Sequence, residues 1–169
     1  MTQRGFTIIE LLVVIAVSAI LLGLAVPSFT DYVSQQKVKN RISLLREAVL
    51  IARAEAIKTK ANVYVKAETG GWANGWFVTK DNTNASISAC AADTADCVQI
   101  YNSVDGLKVK EANDDTTITI SSQGRATPTT IDFRFCDSGG REGVTSRTLA
   151  ISVAGNPSIE KGTSCDNDA

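Results

Sequence analysis

The feature that most constrains this chain is an apolar run near its N-terminus that contains one charged residue. From Phe6 to Phe29 the only charge is Glu10, and none occurs from Leu11 to Val26. A helix of about 20 mostly apolar residues can span a bilayer. A charged side chain in such a segment costs up to roughly 2.5–3.5 kcal/mol at mid-membrane and less near an end. Glu10 therefore requires a functional explanation.

The residues around Glu10 provide one. The segment from Gly5 to Leu11, GFTIIEL, resembles the processing site of the type IV pilin superfamily. The resemblance implies that residues 1–5 are a leader, that a prepilin peptidase cuts between Gly5 and Phe6, and that the new Phe6 amine is methylated. It also implies that Glu10 pairs with an N-terminal amine in the filament.

Two other interpretations of the run are weaker. An ordinary secretory signal peptide would use the charge of Arg4 and a small-residue cleavage site at Val17–Ala19. It would place Glu10 at the start of the apolar region, and apolar sequence would continue past the cut. A plain membrane anchor gives Glu10 no role, whereas ionisable residues in membrane segments are functional by default. Pilin-type processing is therefore favoured.

Composition narrows the function classes. The 169 residues suggest one domain plus an anchor, and a net charge of −1 does not indicate a general binder of nucleic acid or anionic membranes. There is no histidine, which is the commonest general base and metal ligand. Nothing resembles a nucleophile elbow or a phosphate loop, although a serine–lysine hydrolase stays open. We expect no enzyme, no catalytic residue, no metal and no cofactor.

Charge is nevertheless distributed unevenly. Between Lys37 and Lys60 there are seven basic and two acidic residues, and from Ala61 onward there are nine basic and fourteen acidic residues. A basic stalk therefore carries an acidic head. Solvated faces with stalk-to-head pairing would explain this pattern, and so would attraction between subunits of an assembly.

Basic residues also set the expected topology. Arg4 precedes the apolar run, and the next basic residue is Lys37. By the positive-inside rule the N-terminus lies in the cytoplasm. The head then lies on the periplasmic side of the inner membrane, and the pilin resemblance implies a later location in the pilus at the cell surface.

The four cysteines all lie beyond the apolar run: Cys90, Cys97, Cys136 and Cys165. An even number of cysteines in an oxidising compartment indicates disulfides. Three pairings are possible. We predict Cys90–Cys97, which closes a local loop, and Cys136–Cys165, which ties a polar tail to a strand.

A helical pattern continues after the apolar run. One apolar stripe has spacings of 4, 3, 4, 3 and 4 residues, typical of an amphipathic helix; it consists of Val38, Ile42, Leu45, Val49, Ala52 and Ala56. The pattern predicts an apolar helix over residues 6–29 and an amphipathic helix over 30–61. Pro27 should kink or loosen the helix locally. The pilin resemblance implies that the helix melts locally at this proline in the filament.

The period then changes to that of strands. Val63, Val65 and Ala67 alternate with polar residues, as in a half-buried strand. Clusters of Gly, Asn, Asp and Ser separate the other candidates: Gly75–Thr79, Val98–Ser103, Leu107–Lys110, Thr116–Ser121, Thr130–Cys136 and Thr148–Val153. The order predicts an α+β fold, with the helix packed on antiparallel sheet in a β-rich head over 62–169. Asp81–Asp96 is predicted to be a long surface loop, and the tail from Glu160 to be irregular.

The second half also resembles one branch of the superfamily. Ala52–Ile57, Gly75–Val78 with Asp81, and Phe133–Cys136 are similar to GspH/FimT-type minor pilins and pseudopilins. The implied fold is a long N-terminal helix against two small antiparallel sheets. The implied function is a minor pilin that enters or primes a type IV pilus. Its partners would be other major and minor pilins, the prepilin peptidase and, before assembly, the inner membrane. A pseudopilin of a type II secretion system is the alternative.

A DNA-uptake receptor at a pilus tip is a further alternative. Some FimT-type relatives bind DNA through a Gly-Arg-x-Arg element near the C-terminus. At the place that resembles it this chain has Gly155-Asn156-Pro157-Ser158, without either arginine. Since phosphate contacts by Lys and Arg dominate affinity for DNA, we do not expect DNA binding.

Two other groups have both a functional and a structural interpretation. Trp72 and Trp76 would form an aromatic platform for a glycan or base, or anchor the core. We favour the core, with Trp72 the more exposed. Asp81–Asn84 carries oxygen ligands suited to calcium, but turn chemistry explains these residues better, because an EF-hand needs a central Gly and a final Glu.

Overall fold

The structure, a computed structural model, describes residues 7–129, 131–141 and 143–164, and gives no side-chain placement for 24–28, 163 and 164. Within these residues the chain forms two α-helices, a 3-10 turn and nine β-strands. One long helix comes first and every strand follows it. The predicted α+β architecture is confirmed.

Helix α1 spans Ile8–Thr59. Its last residue, Thr59, is followed by Lys60, which adopts a left-handed conformation with φ of +54°, so the predicted end at residue 61 is correct to within two residues. The helix continues unbroken through Pro27. At a rise of 1.5 Å per residue, its 52 residues extend over about 80 Å. The melting at Pro27 that the pilin resemblance implies concerns the filament and stays a prediction.

The strands form two antiparallel sheets, as the resemblance implied. The first has five strands in the order β3-β2-β1-β5-β6, and the second has four in the order β4-β7-β8-β9. In chain order the strands are Val63–Ala67 (β1), Gly75–Thr79 (β2), Cys97–Asn102 (β3), Leu107–Glu111 (β4), Thr117–Ile120 (β5), Ala126–Thr127 (β6), Ile131–Asp137 (β7), Thr145–Ile151 (β8) and Pro157–Ser164 (β9).

The core lies between α1 and the sheets. All six residues of the predicted apolar stripe are at most 1% exposed, as are Phe133 and Phe135 from β7. Strand β1 alternates buried and half-buried residues as predicted. The stripe of α1 is therefore the surface on which the head is built.

The prediction that the tail from Glu160 is irregular is wrong for residues 160–164, and the rest of the tail lies outside the described residues. Residues Pro157–Ser164 form β9, which pairs with β8 so that Leu149 faces Ile159. A tight turn starts the hairpin: the Gly155 amide donates to the Ser152 carbonyl at 2.8 Å. Backbone pairing with β8 orders this polar segment, although its composition resembles that of a free tail.

The prediction of a loop over Asp81–Asp96 is also wrong in part. A short helix, α2, spans Ile87–Ala92. The Ser86 hydroxyl caps it by accepting from the Ala89 amide at 3.2 Å. Six residues are too few to show a helical period in sequence.

Both tryptophans are core residues, which confirms the structural interpretation. Trp72 is the more exposed of the two, as expected, but at only 4%, because the 3-10 turn Trp72–Asn74 packs against β4. Its ring meets Phe133 edge-on at 4.7 Å, and its indole N–H donates to the Asp115 carbonyl at 2.7 Å. Trp76 is fully buried.

Candidate assembly site

The N-terminal part of α1 presents a continuous apolar surface to solvent. Between Ile8 and Leu22 each large apolar side chain keeps 50–81% of its area exposed. Burying such surface gains roughly 25 cal/mol for each Å² removed from water, so a patch of this size normally marks an interaction site. An apolar environment outside the single chain is therefore needed to cover this surface.

Among the described residues, no helix is both long and apolar enough to cross a membrane. The predicted apolar segment 6–29 includes Phe6, which lies outside the described residues, and the side chains of 24–28, which are not placed. The membrane segment stays a prediction. The predicted processing site likewise stays one, because Gly5 and Phe6 both lie outside the described residues.

Glu10 lies in the first turn of α1 and closes a capping box with Thr7. One Glu10 carboxylate oxygen accepts from the Thr7 amide and from the Thr7 hydroxyl, each at 2.9 Å. In return the Thr7 hydroxyl oxygen accepts from the Glu10 amide at 3.3 Å. This arrangement satisfies backbone donors that have no partner within the helix.

Sequence reasoning missed the role of Thr7. The signal was available, since Thr7-Ile8-Ile9-Glu10 has the Thr-x-x-Glu spacing of a capping box before an apolar run. Within the described part of the chain, every hydrogen bond found for the Glu10 carboxylate goes to Thr7. Glu10 therefore takes no part in holding the head.

The stalk holds the head through directed polar contacts at its base. The Gln35 amide oxygen accepts from the Thr145 amide at 2.8 Å and from its hydroxyl at 3.0 Å, while the Gln35 amide nitrogen donates to the Thr145 carbonyl at 3.2 Å. Arg141 donates to the Ser34 hydroxyl and pairs with Asp137 at 3.3 Å. These contacts fix the orientation of the second sheet on α1.

Arg41 occupies an unexpected place in this joint. The sequence counts it among the basic residues of a solvated stalk, but it is 3% exposed, and its guanidinium lies 3.9 Å from the centre of the Trp76 ring. Burial lowers the pKa of Arg41 to about 10, so the group keeps its charge at neutral pH. Its Nη2 has no hydrogen-bond partner among the described residues. Packing on the aromatic face offsets part of the cost of burying this cation.

Tyr101 extends the same cluster from β3. Its ring stacks on Trp76 with centroids 5.7 Å apart. Burial, together with the nearby carboxylate of Glu47, raises the pKa of Tyr101 to about 12. One stalk cation and two aromatic rings thus join α1 to the first sheet.

The predicted Cys90–Cys97 disulfide is present and joins α2 to β3. It holds the short helix against the sheet, and Cys90 is fully buried. Cys136 is 1% exposed at the end of β7 and is not a free thiol. Its predicted partner, Cys165, lies outside the described residues, so this bond stays a prediction.

Peptide mapping tests that second bond. We expect non-reduced digests of the purified protein to contain a Cys136–Cys165 cross-linked peptide beside Cys90–Cys97, and both to disappear after reduction. Cys136 is buried near the end of β7, where a bond would tie the polar tail to the second sheet. A peptide that joins Cys136 to Cys90 or Cys97 in native protein would contradict the predicted pairing.

The other candidate sites are occupied by structural contacts. In Asp81–Asn84, the Thr83 amide donates to Asp81 Oδ1 at 2.8 Å, which is ordinary turn chemistry. Within the described residues no three cysteine or carboxylate side chains are placed to hold a metal ion. Asn156, in the segment compared with the DNA-binding element, accepts a hydrogen bond from Arg53 of the stalk.

Comparison with known families agrees with this architecture. A family model described as the type II transport protein GspH matches residues 42–155. The prokaryotic N-terminal methylation motif matches residues 1–26. The first match covers most of α1 beyond the apolar run and the head up to the β8–β9 turn.

Two curated relatives are major pilins. Over 99 residues the chain is 34% identical to the type IV narrow pilus major component PilA5 of Thermus thermophilus, which covers 56% of this chain and 85% of the relative. Over 90 residues it is 32% identical to the type IV major pilin protein PilE of Neisseria gonorrhoeae, which covers 53% of this chain and 44% of that relative.

Two solved structures share the fold. The type IV minor pilin FimU of Pseudomonas aeruginosa aligns with a TM-score of 0.62 at 21% identity, over 79% of this chain and 98% of that one. The minor pseudopilin EpsH from the Type 2 Secretion System of Vibrio cholerae aligns with a TM-score of 0.51 at 12% identity, over 75% and 96%. At these identities the likeness concerns the fold alone.

Proposed function

We propose that this chain, which belongs to the GspH family of the type IV pilin superfamily, is a minor pilin that enters or primes a type IV pilus. The observation that carries the proposal is the exposed apolar half of α1, with Glu10 in its first turn. A monomer in water cannot keep that surface uncovered at low cost. The bilayer would cover it before assembly, and the helices of other pilins would cover it in the filament.

Assembly then depends on the chemistry of the N-terminus. Cleavage between Gly5 and Phe6 would release an amine about one helical turn from Glu10. In apolar surroundings an unpaired amine and an unpaired carboxylate are each costly, and pairing offsets both costs. In the single chain Thr7 occupies the carboxylate. Because a carboxylate has about four acceptor positions, Glu10 can keep these bonds and still accept from the amine of a neighbouring subunit.

The proposed partners and location follow from this cycle. The precursor would lie in the inner membrane with its head in the periplasm, where the prepilin peptidase would cut it. Major and minor pilins would surround the mature subunit on the cell surface. No catalytic step is assigned to the head. Its exposed charges, basic on the stalk and acidic beyond it, would contribute to contacts between subunits.

Intact-mass analysis of protein from native membranes and sheared pili tests the proposal. We expect the mature chain to begin at Phe6 and to carry one added methyl group, because the segment from Gly5 to Leu11 has the features of a processing site. In sheared pili the subunit should be much rarer than the major pilin. A mature start after Ala19 would refute pilin processing, and abundance equal to that of the main subunit would identify a major pilin.

A pseudopilin of a type II secretion system is the second candidate. The description of the matching family, type II transport protein, favours it. The same processing is expected in that case, so mass analysis does not separate the two. Deletion does: loss of protein secretion with normal piliation would favour the pseudopilin, and loss of pili with normal secretion would favour the minor pilin.

The DNA-receptor alternative makes a separate prediction. A soluble fragment beginning near residue 28 should bind duplex DNA weakly or not at all at physiological salt. Asn156 is engaged by Arg53, and the two arginines of the DNA-binding element are absent. Titration by fluorescence anisotropy at several salt concentrations measures this. Submicromolar affinity with a steep dependence on salt would instead favour an uptake receptor.

A further inference from the structure

A cleft of about 370 Å³ lies where the stalk enters the head. Phe29, Val33 and Lys37 form its wall on α1, at a spacing of four residues along one face of the helix. The end of β7 and the turn after it, with Asp137, Ser138, Gly139 and Arg141, and the turn at Gly106 form the opposite wall. The end of the cleft nearer the N-terminus of α1 is apolar, with Phe29 67% exposed. The other end carries the cations Lys37 and Arg141.

Two cations line the cleft, Lys37 on the stalk and Arg141 on the head. Lys37 is exposed and makes no hydrogen bond or ion pair with another described residue, and a Cβ added to Gly106 would lie only 3.9 Å from its Nζ. Arg141 is held by Ser34 and Asp137, yet 45% of its side chain remains exposed.

The carboxylates of this region leave Lys37 uncompensated. Asp137, which is 5% exposed, already accepts from Arg141 and from the Gly139 amide. The nearby Asp31 and Asp105 do not line the cleft. An anion in the cleft would therefore meet the ammonium group of Lys37 and the exposed part of the Arg141 guanidinium, next to an Asp137 carboxylate that is almost fully buried and already paired.

The position of the cleft along α1 identifies the source of that anion. Phe29 ends the apolar run, and Val33 and Lys37 follow it by about 6 and 12 Å of helix. The headgroup layer extends roughly 5–8 Å beyond the hydrocarbon on each side of a bilayer. Helical side chains tilt toward the N-terminus, which is here toward the membrane, and a lysine reaches further by snorkelling.

We infer that this cleft binds the headgroup of an anionic phospholipid while the subunit is in the membrane. The phosphate contacts Lys37 and Arg141, and the upper part of an acyl chain lies along Phe29 and Val33. The inference rests on the proposed function, because it needs the membrane stage that precedes assembly. Binding there would hold the head at a fixed height and tilt on the membrane before the subunit is transferred to a filament.

Native mass spectrometry of the full chain in neutral detergent, titrated with phosphatidylglycerol or phosphatidylcholine, tests the inference. We expect tighter binding of phosphatidylglycerol. The variant Lys37→Gln should weaken that binding about fivefold, which corresponds to the ~1 kcal/mol contributed by a basic residue near an anionic surface. Lys58→Gln is the matched control, since Lys58 is an exposed lysine at the far end of α1, about 30 Å away along the helix.

Three outcomes would overturn the inference. These are equal affinity for the two lipids, an equal loss in Lys37→Gln and Lys58→Gln, and displacement of phosphatidylglycerol by soluble glycerol phosphate at equal concentration. The last outcome would identify a site for free phosphate. Each outcome leaves the minor-pilin proposal standing if the mature chain begins at Phe6 and occurs in pili, so the two failures are distinguishable.

Discussion

Replacing Glu10 with valine is expected to reduce the incorporation of this subunit into filaments by at least about tenfold, or to prevent initiation if the subunit primes assembly. The substitution would leave the N-terminal amine without a partner in the apolar core of the filament. An unpaired charge there costs several kcal/mol, and each 1.4 kcal/mol corresponds to a factor of ten in an equilibrium constant. Processing and membrane insertion should persist, because the substitution makes the run more apolar. Immunoblots of sheared filaments and of membranes, together with pilus counts, measure both effects.

Glu10→Gln is the matched control for helix capping. Glutamine can close a capping box with Thr7 as glutamate does, but it brings no charge to an amine. If the charge matters, Glu10→Gln should resemble Glu10→Val. Wild-type incorporation of Glu10→Gln would assign the role to capping of α1, and wild-type incorporation of both variants with normal piliation would contradict any assembly role for this side chain.

The fold was predictable where a pattern repeats over many residues. The stripe that begins at Val38 and ends at Ala56 spans five turns of helix, and all six of its positions are buried. The two-residue period of Val63, Val65 and Ala67 is equally unambiguous, because each of these side chains faces the core. A long period averages out local exceptions, so α1 and the main strands could be placed to within a few residues.

Features that depend on contacts between distant segments were not predictable in the same way. Strand β9 is ordered by pairing with β8. The core position of Trp72 was predicted from its aromatic side chain, but the packing of its turn on β4 was not. Neither the pairing nor that packing can be read from local composition. Arg41 is an intermediate case: it lies three residues after Val38 and four before Leu45, so the helical period alone places it on the buried face.

For the candidate site, a short local motif predicted the residues but not their contacts. The motif predicted roles for Gly5, Phe6 and Glu10 without knowledge of the fold. This is possible because a peptidase would recognise a linear sequence. The same motif could not indicate what Glu10 contacts in one chain. That contact is a capping box with Thr7, whereas the proposed amine partner belongs to a processed terminus and an assembled state.

Leu45→Ala is expected to destabilise the head by about 2–5 kcal/mol, the usual cost of emptying a fully buried leucine site. Leu45 is 0% exposed on the face of α1 that packs on the sheets. Leu50→Ala removes the same atoms from the same helix, with the same change in helix propensity, at a position that is 42% exposed. It should cost less than about 1 kcal/mol, since half-exposed atoms lose little burial.

Urea unfolding of a soluble fragment beginning near residue 28, followed by circular dichroism with the disulfides intact, measures both variants. The pair isolates docking of the stalk, because propensity and chain entropy cancel between them. A total stability of 5–15 kcal/mol is typical for a domain, so the Leu45→Ala loss would be a large share of it. Equal losses in the two variants would mean that α1 is not seated on the sheets by this face. The cleft at the base of the head would then lose its wall, because Phe29, Val33 and Lys37 are held opposite Arg141 only while the stalk is docked.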